Sequence, residues 1–313
     1  MSGPLLGIDI GGSKLVVGLV DGGGRVLVHH RSAWPALTAD AVTGTVLAQA
    51  RALLADWAGS PPIAVGATIP GLADPRRGLW LEASFSGIRE LPVAALLQDE
   101  LGLPAYLDND AQACALAERR FGVCQGVDDF LYLTVSNGVG GAVFAGGRLL
   151  YGANSAAGEI GHLVVAEPGR RCGCGGTGCL EMHASGRAIA LGYRELGGAA
   201  TAGDAAAVAA LARAGDPVAV EAFETAGRHL GTAIGAACNL TNPAVVVIGG
   251  GVSQAFDLLE RPLRAALTRS SYVARRHPAR VVASGFGALG GLAGAAAVAV
   301  RGLADRPDAG VVD

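Results

Sequence analysis

Length, composition and charge place this chain among compact globular proteins. Its 313 residues are enough for two domains with cores of ordinary size, and 51% of them are hydrophobic whereas 16% are charged. The formal net charge of −3 and the scattered Lys and Arg residues argue against a nucleic-acid partner. No apolar run reaches the length of a membrane span. We therefore expect a soluble cytoplasmic protein, with neither a membrane nor a nucleic acid as partner.

The amino-terminal segment has the pattern of a β-hairpin with a glycine turn. Two apolar runs flank the turn, and a carboxylate precedes it; the residues concerned are Asp9, Gly11, Gly12, Ser13 and Lys14. Bare backbone amides in such a turn can wrap a phosphate while the acid reaches its magnesium. An ordinary hairpin gives the same pattern, so a phosphate role requires further glycine loops downstream.

The next segment alternates helix and strand. Residues 39–57 and 91–102 have helical spacing, and a strand at 103–110 delivers Asn109 and Asp110 to its end before a helix continues from residue 111. Asp110 therefore lies at a strand-to-helix junction, where a helix amino terminus favours an ionised carboxylate. It is either a simple helix cap or, beside a phosphate donor, the base for a hydroxyl nucleophile.

Two further glycine turns follow strands. Residues 130–135 read as a strand followed by the turn Ser136 to Gly141, which contains Ser136, Asn137 and Gly138, and the hairpin pattern of the amino terminus is repeated here. A buried strand near residue 245 runs into Gly249, Gly250 and Gly251, which allow close approach of a nucleotide. Three glycine loops at strand ends predict a nucleotide site.

A cysteine cluster lies within residues 159–181. Cys172, Cys174 and Cys179 follow His162, and three thiolates with one imidazole suit a structural, tetrahedral zinc site. A disulfide loop or three buried thiols are the alternatives, and without a secretory leader we expect reduced thiols. If one ring nitrogen of His162 binds the metal, the other is left for a substrate that Glu159 and Glu181 flank.

The remainder of the chain is mainly helical. Helical runs cover residues 184–196, 204–215, 216–240, 254–269 and 288–302, and the segment from residue 305 onward is polar and expected to be frayed.

Taken together, these motifs resemble the ROK group of sugar kinases and sugar-responsive repressors, within the actin-like ATPase fold. The resemblance covers nearly the whole chain and depends on six motifs: Asp9 to Lys14, Asn109-Asp110, Ser136 to Gly141, Gly158 to His162, the three cysteines with Glu181, and Gly249 to Gly251. It implies an α/β, two-lobed (ribonuclease H-like) fold with a zinc knuckle in the larger lobe.

The lobes implied by the resemblance have defined boundaries. A small lobe spans residues 1–108, and a carboxyl-terminal helix at about 288–304 packs back on it. A larger lobe spans residues 109–287 and includes the zinc-binding loop 159–181, and residues 305–313 form a flexible tail. Such proteins place the sugar between the lobes and are usually homodimers.

The implied activity is ATP-dependent phosphorylation of a hexose or amino-hexose at its 6-hydroxyl, with Asp110 as general base and with Mg²⁺ and structural Zn²⁺. Sugar-binding residues by this resemblance are Ser84, Asn109, Glu159, His162 and Glu181. Nucleotide-binding residues are Asp9, Gly11, Gly12, Ser13, Lys14, Ser136, Asn137, Gly138, Gly249, Gly250 and Gly251. Zinc ligands are His162, Cys172, Cys174 and Cys179.

Three departures from the family pattern leave the sugar open. Asn137 stands where similar kinases have a threonine, residues 83–86 differ from the glucokinase pattern around the sugar 3-position, and Gln112 is as in some N-acetylmannosamine kinases. Glucose, kanosamine and N-acetylmannosamine are all candidates. A sugar-sensing repressor is one competing class, but family repressors carry a DNA-binding domain ahead of the hairpin, and eight residues precede Asp9 here. A non-catalytic sugar-binding regulator is the other, but it would be expected to lack the acid, and Asp110 is present.

Overall fold

The structure, a computed structural model, describes residues 3–83 and 86–305 and divides into two compact units. The first unit comprises residues 1–125, 151–156 and 289–313, and the second comprises residues 126–150 and 157–288. Ser84, predicted to bind sugar, and residues 306–313 of the predicted tail lie outside the described residues.

Both units contain strands and helices. The strands are β1 Leu5–Ile10, β2 Lys14–Val20, β3 Val26–Ala33, β4 Val65–Ile69, β5 Leu72–Asp74, β6 Leu79–Glu82, β7 Arg89–Leu91, β8 Ala105–Asn109, β9 Phe130–Val135, β10 Val139–Ala145, β11 Arg148–Leu149, β12 Val245–Gly249 and β13 Arg280–Ala283. The α-helices are α1 Ala39–Asp56, α2 Val93–Leu101, α3 Asp110–Arg120, α4 Glu181–Ala184, α5 Gly186–Glu195, α6 Ala205–Arg213, α7 Pro217–Thr241, α8 Phe256–Ser270, α9 Tyr272–Arg276 and α10 Gly290–Ala304.

The first unit is built on a five-stranded sheet of order β3-β2-β1-β4-β8. β1, β2 and β3 form an antiparallel meander, whereas β1, β4 and β8 are parallel. Asp9 in β1 pairs with Thr68 in β4, and Ile69 pairs with Asn109 in β8. Because parallel strands end at the same edge of a sheet, the Gly11 turn and the Asn109-Asp110 junction share one edge.

Apolar helices cover this sheet. Side chains of α1 and α2, such as Val46 and Leu97, form a core with Ile8 and other sheet residues. On α10, Leu292 and Ala296 form a second cluster with Leu5 and residues of β2. The sheet therefore has helices packed against it through two separate apolar clusters, as in other α/β layers.

The second unit repeats the same strand order. Its sheet runs β11-β10-β9-β12-β13, with β9 and β10 antiparallel and with β9, β12 and β13 parallel. Most helices of the second unit pack on this sheet, and their apolar side chains form one large core with those of the strands. Gly231 brings α7 close to α8, since a Cβ there would lie 2.2 Å from the carbonyl oxygen of Leu263.

Most elements predicted from the sequence are confirmed, with two local corrections. The predicted turn from Ser136 to Gly141 is shorter, because Val139 and the two glycines after it pair with β9 as the start of β10. The helix predicted from residue 254 begins as a 3-10 turn, Gly251–Ala255, and becomes α-helical at Phe256.

The division into units also differs from the predicted lobe boundary after residue 108. Here α3 belongs with the first unit, which continues to Gln125. The physical reason is close packing of α3 on α10: a Cβ at Gly294 would lie 3.0 Å from the backbone carbonyl carbon of Ala113. Residues 151–156 also join the first unit, so the chain passes between the units more often than the prediction allowed.

One helical stretch among the described residues, 287–304, is long and apolar enough to pass a length-and-composition test for a membrane span. Its residues from Leu292 to Ala299 are buried inside the first unit. A core helix passes the same test, and the packing of α10 against β1 and β4 accounts for its apolar character.

Substitution of Gly66 tests the packing of α10 on the sheet. A Cβ at Gly66 in β4 would lie 1.8 Å from the carbonyl oxygen of Ala295 in α10. We expect Gly66→Ala to lower the free energy of unfolding by about 1–3 kcal/mol or more, as overpacking does. The control is Gly44→Ala on the exposed side of α1, where nothing lies within 4 Å. It should raise the free energy of unfolding by up to about 1 kcal/mol. Equal midpoints in urea denaturation for the two variants would contradict this packing.

Candidate functional site

The second unit brings the four predicted metal ligands together. One ligand atom from each of His162, Cys172, Cys174 and Cys179 lies within 4.8 Å of all the others. Cys172 Sγ is 3.7 Å from His162 Nδ1, and Cys174 Sγ is 3.6 Å from Cys179 Sγ. A tetrahedron with Zn–S bonds of about 2.3 Å has edges of about 3.8 Å. The donor set and its spacing therefore fit zinc, and the sulfurs are too far apart for a disulfide.

The backbone folds this segment into a small antiparallel hairpin. Isolated bridges pair Val164 with Cys179 and Arg171 with Thr177, and the Cys172 N–H donates to the Gly176 carbonyl at 2.8 Å. Gly178 has a φ of +76°, and a Cβ there would lie 2.0 Å from the Ala166 carbonyl oxygen. Glycine is thus required at position 178, where one arm of the hairpin lies against the backbone of the other.

His162 lies at the end of the 3-10 turn Ile160–His162, which packs on β10. With Nδ1 facing the sulfurs, its Nε2 lies 3.8 Å from Glu159 Oε2. Burial raises the pKa of the Glu159 carboxyl, attraction to His162 opposes this, and the nearby charge of Glu181 adds to it. The structure therefore gathers the three predicted sugar-binding residues of this unit, Glu159, His162 and Glu181, beside the cysteine cluster.

Glu181 also contacts the glycine turn after β9. Its Oε2 accepts a hydrogen bond from the Val139 N–H at 3.0 Å. A Cβ at Gly138 would lie 2.4 Å from the same oxygen, so the carboxylate rests directly on the turn. The predicted sugar ligand and the predicted phosphate turn are therefore in contact within one unit.

The third glycine loop lies next to this turn. β12 ends at Gly249 beside the end of β9, and a Cβ at Gly251 would lie 3.9 Å from Ser136 Oγ. Gly250 has a φ of +78°, and a Cβ there would lie 2.4 Å from the Val135 carbonyl oxygen. The sequence-predicted loops 136–138 and 249–251 thus share one edge of the second sheet.

The first unit carries the amino-terminal turn at the end of β1. The Gly11 N–H donates to the Lys14 carbonyl at 2.9 Å, and Gly12 and Ser13 are exposed. Asp9 Oδ1 accepts from the Thr68 hydroxyl at 2.9 Å. Burial raises the pKa of the Asp9 carboxyl, although the Thr68 hydrogen bond and the charge of Lys14 oppose the shift.

Asn109 and Asp110 lie where the sequence predicts, at the junction of β8 and α3. The Asn109 side-chain oxygen caps α3 by accepting from the N–H groups of Ala111 and Gln112, and its amide donates to the Gly71 carbonyl at 2.8 Å. Asp110 Oδ1 accepts from the Ala111 N–H at 2.7 Å in the first helical turn. Asn109 is therefore the N-cap of α3. The role of Asp110 as the base for a hydroxyl nucleophile stays a prediction.

A buried polar cluster that sequence reasoning missed precedes this junction. The Tyr151 hydroxyl donates to Asp108 Oδ2 at 2.5 Å, and Arg301 Nη2 lies 3.2 Å from that oxygen. Burial raises the pKa of the Asp108 carboxyl, whereas the charge of Arg301 and the Tyr151 hydrogen bond oppose it. Because the Asn109 N–H donates to Asp108 Oδ1 at 2.9 Å, the cluster fixes the backbone immediately before Asp110.

Two sheets of the same strand order, each with glycine turns at the ends of its parallel strands, define a duplicated α/β fold of the kind that binds phosphate groups at sheet edges. Comparison with known proteins supports this description of the fold. The profile of the ROK family matches residues 5–301. The chain therefore belongs to the ROK family.

Individual relatives cover nearly the whole chain. A glucokinase of Streptomyces coelicolor is 32% identical over 323 residues, covering 98% of this chain and 99% of that protein. An N-acetylmannosamine kinase of Escherichia fergusonii is 35% identical over 254 residues, covering 80% and 84%. A ROK family glucokinase from Streptomyces griseus, crystallised with glucose and AMPPNP, has a TM-score of 0.86 at 33% identity, covering 96% of this chain and all of that one.

Metal analysis tests the cysteine cluster. We expect the purified protein to contain zinc and Cys179→Ser to lose it. The free energy of unfolding should fall by about 3 kcal/mol when free zinc is about 100 times its dissociation constant, since bound metal stabilises only the folded state.

Cys238→Ala on α7 is the control for this test. This cysteine is buried but lies outside the cluster, so its removal should lower stability through lost packing while the zinc content stays unchanged. A wild-type protein without zinc in elemental analysis would contradict the assignment.

Proposed function

We propose that this chain is an ATP-dependent sugar kinase that transfers the γ-phosphate to the 6-hydroxyl of a hexose or amino-hexose. The observation that carries the proposal is a carboxylate, Asp110, held at the start of α3 at the end of a parallel strand, in a chain that aligns end to end with a glucokinase. We also propose that the two units are the lobes of an actin-like ATPase fold, and that the protein acts as a cytoplasmic homodimer.

Asp110 would act as the general base. The amino terminus of α3 favours the ionised carboxylate, which can take the proton of the sugar 6-hydroxyl as the new oxygen–phosphorus bond forms. Phosphoryl transfer otherwise requires positioning and charge neutralisation more than covalent chemistry. The hydrogen bond from Ala111 and the buried Asp108 cluster support the position of the Asp110 carboxylate.

The donor would bind through the backbone amides of three glycine turns. Turns 11–14, 136–138 and 249–251 each follow a strand, and ATP with Mg²⁺ is the donor that suits them. Asp9 offers a partly buried carboxylate at one turn, which fits Mg²⁺ because this ion prefers oxygen ligands. When bound, the ion would neutralise charge on the β- and γ-phosphates.

The proposed sugar-binding residues are Asn109, Glu159, His162 and Glu181. Carboxylates accept hydrogen bonds from hydroxyl groups, and an imidazole whose Nδ1 binds zinc leaves Nε2 for another. Zinc held by His162 and the three cysteines would thus fix one sugar ligand directly and the start of α4 through Cys179.

The sugar is proposed to be either of the glucose type, which includes kanosamine, or N-acetylmannosamine. The glucokinase relatives favour glucose. The N-acetylmannosamine kinase relative, together with Gln112, favours N-acetylmannosamine. Both share the same proposed base and donor site, so the acceptor alone distinguishes them.

An ADP-release assay across glucose, mannose, glucosamine, N-acetylmannosamine and kanosamine tests the proposal. We expect sugar-dependent ADP release from the wild type. Asp110→Asn should lower kcat by about 10²-fold or more, because general base catalysis is lost. Its melting temperature and ATP affinity should persist, since the asparagine oxygen can still accept from Ala111.

Asp99→Asn is the matched control, because Asp99 is an exposed aspartate on α2. It should release ADP like the wild type. Full activity of Asp110→Asn would remove Asp110 from its role. Sugar binding without ADP release from the wild type would favour the sugar-sensing regulator instead.

A further inference from the structure

The short helices after the cysteine cluster hold the turn 136–138 in place. Two hydrogen bonds join them to this turn, and a third joins them to Val139, the residue after it. The Gly186 N–H donates to the Ser136 carbonyl at 2.7 Å, Arg187 Nε donates to the Asn137 carbonyl at 2.8 Å, and Glu181 Oε2 accepts from Val139. Two of these bonds involve the side chains of Arg187 and Glu181, which lie 50 and 42 positions from their partners in the sequence.

Arg187 has further N–H donors besides the one that binds Asn137. Its hydrogen bond to Asn137 uses Nε, and the guanidinium makes no ion pair within the described residues. An arginine carries five N–H donors in a planar fork, so the four on its terminal nitrogens remain for another acceptor. The side chain is exposed and can meet a ligand that enters from solvent.

The contact between Glu181 and Gly138 indicates which group of a ligand would accept hydrogen bonds from Arg187. Glu181 is a proposed sugar ligand, and its carboxylate rests on Gly138, the residue after Asn137. In phosphoryl transfer the attacking oxygen and the phosphorus approach within about 3–3.5 Å. The phosphate nearest to a sugar-binding carboxylate is therefore the terminal one of ATP.

Charge also favours a cation here. The Glu181 carboxylate, which lies against the turn 136–138, would repel a phosphate bound beside it. A guanidinium anchored on the Asn137 carbonyl supplies both positive charge and N–H donors, and its fork matches phosphate oxygens.

We propose that Arg187 binds the terminal phosphate of ATP, with its Nε fixed by the Asn137 carbonyl. This inference rests on the proposed function, because it takes the turn 136–138 as part of the donor site. It adds to that function a phosphate-binding arginine located on α5.

Binding of ATP and of ADP, measured by calorimetry in the absence of sugar, tests this assignment. Arg187→Gln should weaken ATP binding by about tenfold or more while ADP binding changes by less than about threefold. Arg187→Lys keeps the charge but loses the fork, so its ATP affinity should lie between those of the wild type and the glutamine variant.

Arg194→Gln is the matched control. Arg194 is exposed at the other end of α5 and makes no ion pair within the described residues, so its removal deletes the same charge from the same helix. It should leave both affinities unchanged. Melting temperatures of all three variants should match that of the wild type.

Two results would overturn the inference: an Arg187→Gln variant that binds ATP like Arg194→Gln, or one that loses ATP and ADP affinity by the same factor. The second result would mean that Arg187 only stabilises the conformation of the turn and does not bind the terminal phosphate. If the wild type binds ATP but phosphorylates no sugar, the proposed function fails while the comparison of ATP with ADP still decides the role of Arg187. A wild type that binds no ATP would overturn both.

Discussion

Parallel pairing of three strands in each unit is the constraint on which the candidate site depends. β1, β4 and β8 in the first unit, and β9, β12 and β13 in the second, end at one edge of their sheet because parallel strands share a direction. Asp9, Asp110 and the glycine turns all occupy positions at or just after those ends. Within each unit, strand direction alone therefore brings these residues to the same edge of the sheet.

The cysteine cluster extends this arrangement in the second unit. It fixes Nδ1 of His162 and, through Cys179, the start of the short helix that carries Glu181. Glu181 then reaches the turn after β9. A single bound metal would thereby orient the proposed sugar ligand and stabilise the proposed phosphate turn, without itself taking part in the proposed reaction.

The sequence was sufficient for features encoded locally. Apolar periodicity located the strands, glycine runs located the turns, and the spacing of Cys172, Cys174 and Cys179 predicted a cluster that the structure assembles. Contacts between distant residues had no such signal. Tyr151 is 43 positions from Asp108 and 150 from Arg301, and Glu181 is 42 from Val139. Periodicity cannot reveal these pairs because they arise only when separate elements pack together. The grouping of α3 with the first unit likewise has no local signal, since α3 packs on a helix from the far end of the chain.

We propose that a sugar hydroxyl, rather than water, receives the phosphate. Phosphorus NMR of the wild-type reaction with ATP, Mg²⁺ and the sugar that releases ADP fastest measures this directly. We expect a new phosphate-ester signal coupled to the methylene protons at carbon 6, growing as the γ-phosphate signal of ATP declines. Inorganic phosphate as the sole new signal, or an ester at another carbon, would contradict it.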